Sequence, residues 1–272
     1  MFSTRALLSC VGVVAASLAP LAAQAQGDLL IAPTRIVLDG RQGGEVILSN
    51  IGDSEATYRI ELELRRMDGN GALSAVPREA ANEKETAALA MVRYAPRRIT
   101  LPPNQPQSVR ISARPGAELP EVEYRVHMSF TAIPAARPVT QGEDPQGIEI
   151  RLVPIYGVTI PVFVRHGRLE AQVSIANPAL RAGASGSELT LDLIRNGSSS
   201  TYGEVVIRKP GQAEPIAATR GVAIYTEVAS RKLVLPLSPE KAAALRGPVE
   251  IEYRELPENG GRLLASLTTT IG

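Results

Sequence analysis

The side chains that most often carry catalysis or bind metals are scarce in this sequence. The only histidines are His127 and His166, which lie far apart in the chain. A metal site or a histidine-based triad needs several such side chains converging on one point. The sequence also lacks the G-x-S-x-G, H-E-x-x-H, P-loop and dinucleotide-binding motifs. We therefore predict that the protein is not an enzyme and uses neither a metal nor another cofactor.

The only cysteine, Cys10, lies in a segment typical of a secretory signal peptide. Residues 1–25 contain one arginine, an apolar run from Ala6 to Ala19 and the ending Ala23-Gln24-Ala25. Lipidation at Cys10 is disfavoured because almost no apolar core precedes it. Cleavage after Ala25 leaves a mature chain without thiol or disulfide, which must be stabilised by core burial. No later segment approaches a membrane-spanning length, so we expect no membrane insertion after cleavage.

Charge and aromatic content exclude two further classes of partner. The sequence has 29 Lys and Arg against 28 Asp and Glu, and loss of Arg5 with the signal leaves 28 against 28. Nucleic-acid binders usually show a basic excess, so we expect no nucleic-acid partner. The absence of Trp, with only 3 Phe and 7 Tyr, argues against a sugar-stacking platform.

Short alternating segments separated by turn residues predict β-sandwiches. Thr57–Arg65 alternates apolar and polar residues, and so does Glu123–Phe130. A period of two places one strand face in a core and the other in water. Asp68-Gly69-Asn70-Gly71 is a strong turn signal after the first of these strands. Strands that recur about every ten residues are typical of a sandwich.

Two segments depart from this pattern and predict helical structure. Arg78–Met91 is rich in Ala and Glu, which indicates a short helix or a helical loop between sheets. Ser238 and Pro239 fit the N-cap and first position of a helix that runs to Arg246 and ends at Gly247.

A long apolar segment, 148–165, follows the polar loop Ala135–Gly147. Its 18 residues exceed a normal strand of roughly 3–10 residues, and it contains Pro154 and Pro161. Proline belongs on edge strands or at bulges because it cannot donate to a ladder. A long apolar edge invites aggregation, so this one is either covered or pairs with another chain.

A second run of strands begins after Arg165-His166-Gly167-Arg168, which indicates a hinge. We predict a signal peptide at 1–25, a first domain at 26–166 that includes the strand 148–165, and a second domain at 167–272. The second domain shows no detectable sequence repeat of the first.

Several segments between Asp28 and Arg165 resemble, in order and spacing, the PapD-like periplasmic pilus chaperones. They are Pro33-Thr34-Arg35-Ile36-Val37-Leu38-Asp39-Gly40, Pro96-Arg97-Arg98 leading to Leu101-Pro102-Pro103, Val109-Arg110-Ile111, Glu123-Tyr124-Arg125 and Ile160-Pro161-Val162-Phe163-Val164-Arg165. The resemblance implies an all-β fold with two immunoglobulin-like sandwiches in tandem, set as an L. It also implies a periplasmic, ATP-independent chaperone whose partners are pilin or fimbrial subunits and an outer-membrane usher.

The resemblance further implies that the last strand of the first domain is lent to the subunit. Donor-strand complementation satisfies the unpaired edges and the apolar groove of a subunit that lacks one strand. The lent face would consist of alternate residues, namely Ile148, Ile150, Leu152, Pro154 and Tyr156.

A second implied feature is a pair of basic residues in the cleft between the domains, which grips the subunit's terminal carboxylate. Arg35 falls on the arginine position, and Pro161 stands where the family has a lysine. A carboxylate still requires charge-assisted donors. The candidates for them, besides Arg35, are Arg125, His127, Arg110 and Arg165.

Simpler interpretations of the same residues remain open at this stage. Arg35, Arg125 and His127 could belong to ordinary polar strand faces, and 148–165 could be a strand followed by a linker. The alternative function is a structural pilin-like or adhesive surface protein made of tandem sandwiches. A pilin, however, carries an N-terminal donor extension, whereas the mature chain here runs almost directly into its first strand. A secreted hydrolase would need a carboxylate or histidine cluster that the sequence does not show.

Overall fold

The computed structural model describes residues 29–134, 155–183 and 186–272. The predicted signal peptide, and the predicted donor residues Ile148, Ile150, Leu152 and Pro154, lie outside these ranges. The strands before residue 166 are β1 (Leu29–Ala32), β2 (Ile36–Leu38), β3 (Gly44–Asn50), β4 (Ala56–Met67), β5 (Leu73–Val76), β6 (Val92–Ala95), β7 (Arg98–Leu101), β8 (Pro106–Ala113), β9 (Glu123–Ile133) and β10 (Gly157–Arg165). Those after it are β11 (Ala171–Gly183), β12 (Gly186–Gly197), β13 (Thr201–Arg208), β14 (Ala217–Ile224), β15 (Ser230–Leu237), β16 (Gly247–Arg254) and β17 (Leu263–Ile271).

The first ten strands form one sandwich of two sheets. One sheet has the order β1-β3-β8-β6, and the other has the order β2-β10-β9-β4-β5, with β7 also paired to β4. The alternation predicted for Thr57–Arg65 is realised in β4, where Tyr58, Ile60, Leu62 and Leu64 are buried between the sheets. The opposite face of the same strand carries Arg59, Glu61, Glu63 and Arg65, because successive side chains point to opposite sides.

The chain changes sheets between its first two strands. β1 pairs antiparallel with β3 in one sheet, and β2 pairs parallel with β10 in the other, with Ile36 opposite Val162. Arg35 is the last residue before β2. This crossing therefore places its side chain at the end of the first sandwich that faces the second.

The remaining strands form a second sandwich with its own core. Its sheets have the orders β11-β12-β15 and β14-β13-β16-β17. Fully buried Leu189, Leu193, Ile224 and Tyr253 belong to the core between them. The predicted boundary between residues 166 and 167 falls in the short segment that joins β10 to β11. The predicted all-β fold of two sandwich domains is confirmed.

The two predicted helical segments both form, with changed boundaries. Residues 78–91 divide into a 3₁₀ turn at Arg78–Ala80 and helix α1 at Glu83–Met91. They divide at Asn82, which is the N-cap of α1 in a capping box with Glu85. The second helix, α2, spans Pro239–Leu245, and the Ser238 hydroxyl caps it by accepting from Lys241 N, as the sequence predicts. Neither α-helix in the described part of the chain has the length and apolar character of a membrane span.

Candidate binding cleft between the two sandwiches

Arg35 reaches from the first sandwich to the second. Its Cζ lies 3.9 Å from the centroid of the Phe163 ring and 4.8 Å from that of Tyr202. Nη2 donates to Ser200 Oγ at 3.3 Å. Burial lowers the pKa of Arg35, while Tyr225 and Glu123 act in the opposite direction. Because an arginine starts from so high a pKa, the group stays cationic at neutral pH. It is therefore a fixed positive charge held between two aromatic rings.

The space around Arg35 is a cleft of about 890 Å³ that both sandwiches line. Ala32, Pro33, Val37 and Arg165 line it from the first sandwich. The second contributes Glu170, Tyr202, Leu256, Glu258 and Arg262. The cleft thus combines apolar surface with charges of both signs. That combination suits a peptide segment better than a small apolar ligand.

Glu123 connects the two sandwiches next to the cleft. Its side chain is 1% exposed, and it accepts from Arg165 Nε at 3.2 Å. Its other oxygen accepts from the backbone N–H of Ser200 at 3.1 Å. One buried carboxylate therefore fixes Arg165 in the first sandwich and the start of β13 in the second. The Arg165 side chain remains 40% exposed at the cleft.

Arg125 lies outside the cleft lining, and both of its terminal nitrogens are already engaged between the sandwiches. Both terminal nitrogens donate to Glu227, at 2.9 and 2.6 Å, and Nη2 also donates to the Arg65 carbonyl at 2.6 Å. Its Cζ lies 3.9 Å from the centroid of the Tyr225 ring. The structure therefore gives Arg125 an interdomain role and does not place it with Arg35.

His127 is 2% exposed, and neither ring nitrogen has a hydrogen-bond partner. It lies opposite Pro161 in the β9–β10 pair, and its ring meets Tyr225 edge-on at 6.4 Å. Burial, with the nearby Arg125 and Arg65, lowers the pKa of His127 to about 3. A neutral buried imidazole cannot serve as a cation for a carboxylate at neutral pH.

Arg110 lies on β8, in the other sheet of the first sandwich. It is exposed opposite Glu45 of β3 and Ala95 of β6. Of the five sequence-predicted anchor residues, the structure brings only Arg35 and Arg165 together in the cleft.

The beginning of β10 has an edge that no described strand covers. β9 pairs with β10 along all of Gly157–Arg165, but β2 pairs only with its last residues, from Val162 to Val164. We call the uncovered side of Gly157–Pro161 the open edge of β10. Tyr156, predicted as a donor residue, is 43% exposed beside it.

Side-chain alternation along β10 identifies one donor candidate that the sequence did not single out. Ile160, Val162 and Val164 point into the first core, with exposures of 2%, 0% and 1%. Val158 belongs to the same face, yet it is 38% exposed. The apolar face of β10 therefore passes out of the sandwich at Val158 and continues to Tyr156.

Other residues of the cleft were also missed from the sequence. Tyr202 and Ser200 belong to the second sandwich, where no local pattern indicates that they meet Arg35. Glu123 could have been found, since it stands in the Glu123-Tyr124-Arg125 segment that carries the family resemblance. Among the described residues, no group of three or more potential metal ligands is present.

Comparisons with known proteins gave matches among solved structures only. No family model and no curated protein matches the sequence. The chain is 15% identical to the E. coli chaperone DraB, with 90% of this chain and 96% of that one covered and a TM-score of 0.47. It is 12% identical to a chain of the CsuC–CsuE chaperone–tip adhesion subunit pre-assembly complex of Acinetobacter baumannii, covering 90% and 98%, with a TM-score of 0.45. For the Salmonella enterica SafA pilin in complex with the SafB chaperone, the values are 15% identity, 89% and 95% coverage and a TM-score of 0.45.

Proposed function

We propose that this protein is a PapD-like periplasmic chaperone that binds and caps fimbrial subunits by donor-strand complementation and delivers them to an outer-membrane usher. The open edge of β10 is the observation that carries the proposal. An apolar strand edge with unpaired backbone groups is a template for pairing with another chain. On this strand it extends from Gly157 to Pro161, directly beside the exposed Tyr156 and Val158.

The register of β2 indicates where a client strand would end. β2 occupies the side of β10 opposite β9 from Ile36 onward and runs parallel to β10. A client strand that fills the open edge in the same direction would run towards the first residue of β2. Arg35 immediately precedes that residue, so the client's terminal carboxylate would meet the Arg35 guanidinium. A charge-assisted hydrogen bond there would fix the register of the pairing.

The lent side chains would be Tyr156 and Val158, together with Ile148, Ile150, Leu152 and Pro154 outside the described residues. Each apolar side chain that is fully buried by the client contributes roughly 1.5–3 kcal/mol before ordering costs are subtracted. Three or four of them would contribute roughly 5–12 kcal/mol, to which the backbone ladder adds, against the cost of association.

Arg35 and Arg165 form the proposed carboxylate anchor. Arg165 supplies the second basic group, because Pro161 occupies the position at which the family has a lysine. Its Nε is held by Glu123, which leaves its terminal nitrogens free to turn into the cleft. The contacts of Arg125, the burial of His127 and the position of Arg110 argue against their inclusion.

The proposal is tested by co-expression of the tagged protein in the periplasm with the subunits encoded beside it. We expect a 1:1 complex with a subunit that Val158→Asp and Arg35→Ala both weaken at least tenfold. Arg110→Ala, which removes an exposed arginine from the other sheet, is the matched control and should leave the complex intact. A folded wild-type protein that retains no subunit would instead favour the structural, pilin-like alternative.

A further inference from the structure

The wall of the cleft that belongs to the second sandwich carries two carboxylates that have no counter-ion among the described residues. Glu170 directly precedes β11, and Glu258 lies in the 3₁₀ turn between β16 and β17. Both side chains are exposed, and within the described part of the chain neither forms an ion pair or a side-chain hydrogen bond. Glu258 also interacts electrostatically with Arg220, but that arginine is paired with Glu204 at 3.0 Å.

The main chain holds both acids in place at the cleft. The Glu170 carbonyl accepts from the backbone N–H groups of Ser198 and Ser199 at 2.8 and 3.2 Å. The turn that carries Glu258 closes through Gly260 N, which donates to the Pro257 carbonyl at 3.1 Å. The backbone positions that carry the two carboxylates are therefore fixed at this wall.

The other charges of this wall cancel each other. Arg262 donates to Glu255 at 3.0 Å, which leaves no net charge from that pair. The opposite wall carries Arg35 and Arg165, and since Arg165 is paired with the buried Glu123, the net charge of that wall is the single positive charge of Arg35. The cleft is thus polarised across its width, positive on the first sandwich and negative on the second.

We propose that this polarised cleft selects clients with a lysine or arginine within the last few residues before the terminal carboxylate. This inference rests on the proposed function, because it assumes that a client terminus occupies the cleft. The terminal carboxylate binds the Arg35 wall, and the basic side chain reaches across to Glu170 and Glu258. A client with an acidic residue at that position faces two like charges, so the wall also rejects incorrect partners.

The test uses synthetic peptides of ten residues with alternating apolar residues and a free terminal carboxylate. Lysine, glutamine or glutamate is placed in turn at each of the second to fifth positions from the end. Affinity for the full mature protein is measured by fluorescence anisotropy of a dye on the peptide N-terminus. The variants are the double substitution Glu170→Gln with Glu258→Gln and, as a control, Glu45→Gln with Glu61→Gln on the outer sheet faces.

At one or more positions the lysine peptide should bind about three- to tenfold more tightly than the glutamine peptide, and the glutamate peptide more weakly still. The preference should shrink in high salt and disappear in the Glu170/Glu258 variant, but persist in the control. Equal binding of the three peptides, or a preference that survives loss of both acids, overturns the inference.

A terminal amide on the same peptides separates this inference from the proposed function. If amidation abolishes binding, the carboxylate anchor stands, and the lysine preference alone decides the role of the acidic wall. If amidation has no effect, the anchor at Arg35 is wrong. A lysine preference that then still depends on Glu170 and Glu258 supports the acidic wall as a basic-peptide site without the anchor, and its absence overturns both.

Discussion

The Arg125 guanidinium of the first sandwich lies over the Tyr225 ring of the second, with 3.9 Å between Cζ and the ring centroid. Its terminal nitrogens also hold both oxygens of Glu227, which in turn accepts from the backbone N–H of Met67 at 2.8 Å. This bidentate ion pair, with its aromatic contact, is therefore one of the interactions that hold the two domains together, alongside those of Arg35 and Glu123 with Ser200. The cleft around Arg35 depends on these interdomain contacts, because its two walls belong to different domains.

Replacing Glu227 with Gln should loosen the contact between the domains. The side chains of Arg125 and Glu227 are only 10% and 26% exposed, so the substitution leaves a mostly buried guanidinium without its counter-charge. We expect a loss of about 2–3 kcal/mol in the free energy of unfolding, measured in urea. Glu204→Gln is the control, since its partner Arg220 is 63% exposed and solvent screens the pair, so this variant should lose much less stability. Equal losses in the two variants would contradict the interdomain role of Glu227.

His127 should make the stability of the protein fall as the pH is lowered. Burial lowers its pKa from 6.5 to about 3, so between these values the unfolded chain binds a proton that the folded chain does not. The resulting loss in unfolding free energy begins as the pH drops below 6.5 and amounts to about 2 kcal/mol between pH 7 and pH 5. His127→Phe removes this part of the pH dependence.

The measurement is urea unfolding at pH 7 and pH 5 for wild type, His127→Phe and His166→Asn. The His166 variant removes the only other histidine and leaves His127 in place. It should keep the wild-type difference between the two pH values. A His127→Phe protein that loses as much stability as wild type at pH 5 would show that His127 is not the group responsible.

The fold could be predicted from the sequence because its signals are local. Alternation in Thr57–Arg65 and turn residues at Asp68–Gly71 determine where a strand and its turn lie, and β4 is observed there. The Ser238 cap was found for the same reason, since an N-cap bonds within its own helical turn.

The cleft could be predicted only in part, because its geometry depends on contacts between distant segments. Arg125 and Arg165 look alike in sequence, as charged residues on neighbouring strands. Glu227 forms an ion pair with Arg125, and no sequence feature near residue 125 indicates a partner about a hundred positions away. The sequence predicts His127 as a candidate because strand alternation places it on a polar face, and it gives no sign that Tyr225 of the second domain helps to cover that face.

Exposure along β10 should separate client binding from folding. Val158 and Ile160 lie on the same strand face, but they are 38% and 2% exposed. Val158→Asp should change the unfolding free energy by no more than about 0.5 kcal/mol while reducing subunit binding at least tenfold. Ile160→Asp places an unpaired charge in the core, so the first domain should fail to fold. Val158→Ala, which removes apolar area without adding a charge, should weaken subunit binding clearly less than Val158→Asp does.

These variants are compared by urea unfolding and by recovery of the subunit complex from periplasm. A Val158→Asp protein that unfolds at much lower urea would mean that this part of β10 belongs to the core. Normal subunit recovery by a folded Val158→Asp protein would remove Val158 from the donated face.

The Phe163 ring packs against the Arg35 guanidinium. Its substitution should therefore affect both the stability of the protein and the binding of carboxylate-terminated peptides. The ring is fully buried among Met67, Ala223 and Tyr225, and it lies 3.9 Å from Arg35 Cζ. Phe163→Ala should cost about 3–5 kcal/mol of unfolding free energy. Phe163→Leu keeps most of the volume and should cost less than about 1.5 kcal/mol, but it removes the aromatic face under the guanidinium.

The leucine variant isolates the effect on binding. Loss of the cation–π contact frees the Arg35 side chain, and we expect carboxylate-terminated peptides to bind about threefold to fivefold more weakly. Phe130→Leu, at an equally buried ring in the first core, should lose similar stability without any change in peptide affinity. Equal affinities for wild type and Phe163→Leu would mean that the Ser200 hydrogen bond and Tyr202 alone are sufficient to orient Arg35.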